Sequence, residues 1–419
     1  MDSTPEQPFA EELPEPATIQ LSPSAQNPTP EQPFAEELPE PATIQLSPSA
    51  QDPSAQDPFA QEPRSTAHRV FFGPFGLRAG WSLLIYLAIA ACIILGVHSL
   101  SAHGKARRDH AAATAAKVTG ATNPSPPIKS AAITIAPRLD ASKPAPMLPM
   151  IIVEAIILTI LVLLSWLMAA IEHRRISAFG LGGIQSIRRF LVGAVCGLAA
   201  MALLIASLRG FHLLAFDTRL DHGRSILGWG ATQLFAFLLV GLVEEYTFRG
   251  YLQFTLTRGM VCIGNLVSPQ HARAIAFWIA SILTSALFLY AHTRNPGETW
   301  FGLFSVFLAG LLFVIALWRT GSLWWAIGFH MAWDWSQSFL YGVPDSGTLI
   351  QGRLFATHAL GKPLYSGGTD GPEGSLLCAP IILLVILILL YTHPSPQPPL
   401  ETSSDPFPQE PSPGLSIAS

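Results

Sequence analysis

The chain has 419 residues, 50% hydrophobic and 12% charged, with a formal net charge of -4 and a mean hydropathy of +0.39. Soluble domains carry about 25% charged residues, so this composition belongs to the membrane class. The negative balance argues against a general nucleic-acid binder. Cys92, Cys196, Cys262 and Cys378 show no CxxC spacing and read as small apolar residues rather than disulfides or a zinc knot.

Residues 1–66 are rich in Pro, Glu, Gln, Ser and Ala, and Thr4–Gln26 recurs without change as Thr29–Gln51. Prolines every few residues and scarce large apolar side chains leave too little to bury, so this 25-residue-period duplication is expected to be a disordered tail. The first apolar run begins near Trp81, late for a cleavable N-terminal signal, and reads as a signal-anchor or an ordinary spanning helix.

A hydrocarbon core needs about 20 helical residues. Eight apolar runs meet or approach that length, at 79–100, 148–171, 188–208, 226–248, 274–292, 299–318, 322–341 and 375–391. The expected fold is an all-α polytopic bundle of about eight helices. It comprises a first helix with an Ala/Pro/Lys loop (79–147), a core (148–392) and a second disordered tail (393–419). Arginines before the first helix, between the second and third, and between the fourth and fifth fall on one side if both termini are cytoplasmic. The basic loop Ser101–Pro149 opposes that orientation but, being long, weighs less in the rule. The third and eighth runs are almost purely apolar, as packing or lipid-facing helices are. The fourth, fifth and seventh carry ionisable residues and read as lining an interior site.

The fourth run carries the first of these as Glu244-Glu245-Tyr246-Thr247-Phe248-Arg249. A charge at the bilayer centre costs at least about 2.5 kcal/mol, so each needs a partner or a wet cavity. Glu245 and Arg249 stand at i,i+4 and can pair. Glu244 points about 100° away and has no local partner. The fifth run ends with Phe288 and His292 on one helix face, and the seventh places His330 and Asp334 on another. Histidine can act as base, donor or metal ligand near neutral pH, and a carboxylate can serve as general base. Each group also has a plain structural reading. Glu245–Arg249 fits an interfacial ion pair, His292 a residue reaching water, and His330–Asp334 a packing hydrogen bond. Those readings leave Glu244 unexplained. Glu154, near the start of the second run, reads as interfacial.

Glu244-Glu245-x-x-x-Arg249, Phe288-x-x-x-His292 and His330-x-x-x-Asp334, the last preceded by Arg319-Thr320-Gly321-Ser322-Leu323-Trp324, resemble the motif set of the CPBP family. This is the family of CAAX-prenyl-protease type, bacteriocin-processing and Abi immunity-type intramembrane proteases. The resemblance covers about 145–392 and is tightest over 240–336. It implies an intramembrane endopeptidase of a bacterial plasma membrane acting on a peptide or membrane-protein substrate. Glu244 would activate water with help from His292, His330 and Asp334 would stabilise the oxyanion or order the site, and Glu245 and Arg249 would support it. The last motif position is often Asn in the family and is Asp334 here, and an ionised Asp cannot donate a hydrogen bond. The family has been called a metalloprotease group, so a divalent metal such as zinc, held by Glu244, His292 and His330, is the alternative to a metal-free glutamate mechanism. There is no HExxH. Two other functions fit the same helices: a silent immunity or scaffold protein, and a proton-coupled transporter, which would call for an internal repeat that the sequence does not display.

Overall fold

The computed structural model describes residues 70–73, 76–90, 92, 144–182, 185–295 and 297–396. The expected N-terminal tail, most of the Ala/Pro/Lys loop and all but the first residues of the C-terminal tail lie outside them. What is described is mostly helix: α1 (Ala79–Ala90), α2 (Met147–Ile171), α3 (Ser186–Gly210), α4 (Ser225–Glu245), α5 (Leu252–Val267), α6 (Ala272–His292), α7 (Trp300–Thr320), α8 (Trp324–Trp335) and α9 (Cys378–Thr392). Among the described residues five helical stretches are long and apolar enough to cross a membrane: α2, α3, the continuous stretch Ser225–Val267, the stretch Pro269–His292, and α7. α1 and α9 are shorter apolar helices. The seventh run becomes α8 plus a π-helical turn at Ser336–Leu340.

The fourth run is where sequence and structure part. Arg249 and Arg258 read as linker residues, yet the helix continues through them to Val267 for 43 residues. A straight helix of that length would span ~65 Å, twice the thickness of a hydrocarbon core, so it must bend. The bend is a π-helical segment, Tyr246–Tyr251, in which Gly250 leaves helical space at ψ -114. Arg258 is tolerated beyond it because its Nη1 meets Glu172 Oε2 at 2.9 Å and its Nη2 donates to Ser82 Oγ at 2.9 Å. Tyr251 also donates to Glu172, at 2.9 Å. These partners lie 86, 176 and 79 positions away along the chain, beyond the reach of any local pattern.

The third run, expected to pack or to face lipid, packs against α8. The approach is backbone to backbone: a Cβ on Gly193 would lie 2.0 Å from the carbonyl oxygen of Trp325, and one on Gly197 would lie 2.4 Å from that of Phe329. Gly328 of α8 returns the contact against the carbonyl oxygen of Phe190, at 2.1 Å. Small residues at such spacing let helices approach closely where apolar burial gives no net drive. The main core closes around this seam, with Met201, Leu204 and Leu208 of α3, Leu312 and Ala316 of α7, Trp325 and Phe329 of α8, and Ile382 and Leu389 of α9.

Past the helix ends, the chain builds a cap that the sequence reading did not anticipate. Leu214–Arg219 (β1) pairs antiparallel with Phe355–Ala359 (β2), Leu214 opposite Ala359. Residues between α8 and α9 cover the bundle there. Asp370, fully buried, ties this cap to α7: its Oδ2 accepts from the Thr299 amide at 3.2 Å and hydroxyl at 2.9 Å. The Thr299 hydroxyl accepts in turn from the Gly302 amide, capping α7.

Candidate active site

The bend in α4–α5 puts two adjacent carboxylates to different uses. Glu245 is fully buried and its Oε1 lies 3.1 Å from Arg249 Nη1, itself fully buried. The guanidinium is enclosed by aromatic faces, with its Cζ 4.3 Å from the Phe288 ring centre, 5.3 Å from Phe313 and 5.7 Å from Phe248. Such contacts suit a cation with few hydrogen-bond partners. The same Glu245 oxygen lies 2.9 Å from His330 Nδ1. The i,i+4 pair read from the sequence is therefore present, and it reaches a third helix.

His330 is held on α8 by that bond and by stacking on Phe313, with ring centres 5.2 Å apart at 21°. An ionised carboxylate only accepts hydrogen bonds, so Nδ1 carries the hydrogen that faces Glu245. The opposite nitrogen, Nε2, lies 3.7 Å from Glu244 Oε2 and 3.4 Å from Asp334 Oδ2. Two carboxylates around one ring nitrogen require a proton among the three groups, on the ring or on one of the acids. The cluster can thus receive or give one proton without rearranging.

Glu244 differs from its neighbour in access. Its side chain is 28% exposed, against 0% for Glu245, and its Oε2 makes no hydrogen bond. It borders a cavity of about 270 Å³ that is also lined by Phe288, His292, His330 and Asp334. All four residues expected to carry chemistry thus border one space, while Glu245 and Arg249 lie behind it. His292 Nδ1 is 2.8 Å from the Phe288 carbonyl oxygen, which can only accept. With Nδ1 as donor, the neutral ring keeps its Nε2 lone pair.

Several lining residues escaped the sequence reading. Glu154 of α2, taken as interfacial, borders the cavity. So do Asn295, just past α6, and Asp345, Ser346 and Glu373 from the cap. Only Glu154 offered a signal, as an acid within an apolar helix. The others sit in loops without periodicity. Glu373 accepts a hydrogen bond from the Ser346 amide. Burial first, then the charges of Asp345 and Asp370, holds its carboxyl well above the usual range. Asp345 is pushed up to about 7 by burial, with Glu244 adding to the shift against the lowering effect of His330.

Among the described residues, no three His, Cys, Asp or Glu side chains are grouped as a metal-holding set. His330 and His292 each donate through Nδ1, to Glu245 and to the Phe288 carbonyl, which leaves Nε2 of each ring as the nitrogen open to a ligand in the cavity.

Residues 227–336 match the family model described as type II CAAX prenyl endopeptidase, Rce1-like. The match runs from the start of α4 through α8 and contains every motif residue named above. It is consistent with the intramembrane-protease family recognised in the sequence. No curated protein and no solved structure matches the chain. The five stretches long and apolar enough to cross a membrane, together with this match, support an integral membrane protein.

Proposed function

From the Rce1-like match over residues 227–336, we propose that the protein is an intramembrane endopeptidase that hydrolyses a peptide bond with water activated by Glu244. The observation that carries this reading is the pairing of an accessible Glu244, one oxygen lacking a hydrogen bond, with a fixed His330 at 3.7 Å beside a shared cavity.

In this mechanism water binds between Glu244 and His292, and Glu244 takes its proton as the oxygen attacks the scissile carbonyl. His292 accepts a hydrogen bond from the same water through Nε2. His330 faces the developing oxyanion through Nε2–H, its ring fixed by Glu245 and its charge supported by Asp334. The proton held by Glu244 then passes to the leaving amine. Glu245 and Arg249 keep His330 in place and touch no reacting atom. Asn295, whose side chain borders the cavity, supplies a neutral N–H donor that Asp334 does not.

The substrate is a peptide or membrane protein whose scissile segment enters the bilayer. The match to a CAAX prenyl endopeptidase model makes a prenylated peptide one candidate class. Arg78 before α1, Arg174, Arg175, Arg188 and Arg189 around the α2–α3 connection, and Arg273 at the start of α6 favour cytoplasmic termini under the positive-inside rule, and we place the chain in a bacterial plasma membrane. No nucleic acid takes part.

The test is cleavage of a membrane-peptide library by protein reconstituted in lipid. Glu244→Gln is expected to lower kcat by about 10²-fold to 10⁴-fold and His292→Ala by about 10²-fold, with unchanged helicity by circular dichroism. Full activity in Glu244→Gln would overturn the assignment of the base.

A further inference from the structure

The cavity is lined by five carboxyl groups from four parts of the fold: Glu154 of α2, Glu244 of α4, Asp334 of α8, and Asp345 and Glu373 of the cap. Among the described residues no Lys or Arg lines it. Arg249, the nearest arginine in the motif set, is shut off behind Phe288 and Phe313, whose rings border the space. The two lining histidines are engaged through Nδ1, His330 with Glu245 and His292 with a backbone carbonyl. Asp334, only 6% exposed, shares a single cationic partner, His330 Nε2, with Glu244. Two carboxylates on one imidazole leave negative charge bordering an open space, and that charge is complementary to a cation that arrives there. The cap acids are raised by burial and by neighbouring carboxylates, and a positive charge brought among them favours their ionised forms.

We infer that the cavity selects a substrate segment bearing a Lys or Arg side chain beside the bond that Glu244 faces. The inference rests on the peptidase reading, and it names the chemistry of that enzyme's preferred substrate. A Lys ammonium between Asp334, Asp345 and Glu373 pairs with groups that otherwise repel one another, whereas a Glu at the same place adds a sixth acid. Glu154 stands on α2, most of whose surface is exposed, so the acidic lining extends to the lipid-facing side of the cavity.

The test uses full-length protein in nanodiscs and otherwise identical hydrophobic peptides carrying Lys, norleucine or Glu at one scanned position. Binding is read by fluorescence anisotropy and cleavage by mass spectrometry. The expected result is a Lys peptide bound at least about tenfold more tightly than the norleucine peptide, with the Glu peptide weakest. Asp345→Asn with Glu373→Gln should bring the Lys-to-norleucine ratio close to one while norleucine binding changes by less than about twofold. Because those cap positions are packed, Glu154→Gln serves as a second variant, expected to lower the ratio in part. Equal binding of Lys and norleucine peptides, an unchanged ratio in both variants, or no binding of any peptide overturns the inference. Lys-selective binding without cleavage sinks the peptidase reading and leaves the charge preference standing. Cleavage without selectivity does the reverse.

Discussion

Glu245 at the end of α4 and Glu298 beside the cap are both carboxylates removed from much of their water, and the chain treats them differently. Glu245 faces Arg249 at 3.1 Å and His330 at 2.9 Å. Glu298 faces Asp370: a Cβ on Gly302 would lie 2.4 Å from Glu298 Oε1 and 2.1 Å from Asp370 Oδ2, so both oxygens point at one spot. Neither Glu298 nor Asp370 has an ion pair to Lys or Arg among the described residues, and neither Glu298 oxygen has a hydrogen-bond partner. Burial first, then the charge of Asp370, pushes the Glu298 carboxyl up to about 8. Asp370 is raised as well, by burial, against the lowering effect of the Thr299 hydrogen bonds and of His292. One region stabilises its acids with cations, the other with protons. The second arrangement titrates.

The largest effect should come from breaking the cation side. Arg249→Met leaves the buried Glu245 with His330 as its remaining partner, and we expect a loss of about 3–5 kcal/mol in stability, read as a fall in the unfolding midpoint in detergent or lipid. The double replacement Glu245→Leu with Arg249→Met should recover most of that loss, because a buried pair is often no better than apolar packing. Activity should not recover with it, since His330 Nδ1 then has no acceptor. If the double variant is fully active, Glu245 does not position His330.

A smaller effect separates the proton side. Glu298 holds its proton to higher pH in the folded chain than in the unfolded one, where a glutamate titrates near about 4.3. Folding therefore takes up a proton in the window between those values, and the stability gained is complete below it and lost as pH rises through about 8. Hydrogen exchange of backbone amides in 341–377 should quicken from pH 6 to pH 9 beyond the intrinsic base-catalysed rise. Glu298→Gln should remove that excess, and an unchanged excess would assign the titration to another group. The smallest expected effect is that of Asn295→Ala. A lost oxyanion donor costs up to about 10²-fold, but the donation by His330 remains, so a modest fall in kcat with KM unchanged is the expected outcome.

The same contrast explains how much was legible in the sequence. The cluster around the α4 bend announced itself, because charges inside apolar runs are rare and the pairs Glu245–Arg249 and His330–Asp334 repeat at i,i+4. The contact between Glu245 and His330 spans 85 positions and is not legible in the sequence, where Glu245 has only Arg249 as a partner. The cap offered neither signal. Asp345, Asp370 and Glu373 lie in a glycine-rich connection where acids are unremarkable, and they become part of a buried region only once β1 and β2 pair. α5 was missed for a related reason: Arg258 resembles a loop residue until Glu172 and Ser82 are known to stand beside it. Glu154 was visible and misjudged, because helix position alone does not distinguish an interface from a cavity wall.

The seam of Gly193, Gly197 and Gly328 carries a consequence for heredity rather than for chemistry. α3 holds no group that could touch a substrate, yet its backbone rests directly on the helix that carries His330 and Asp334. Bulk at 193 or 197 cannot be absorbed by a side chain swinging aside, because what it meets is main chain. In a library of random variants scored only for survival of activity, these two silent positions should therefore be as barren as the motif residues. A map of mutational tolerance would draw the active site on the wrong helix as well as the right one.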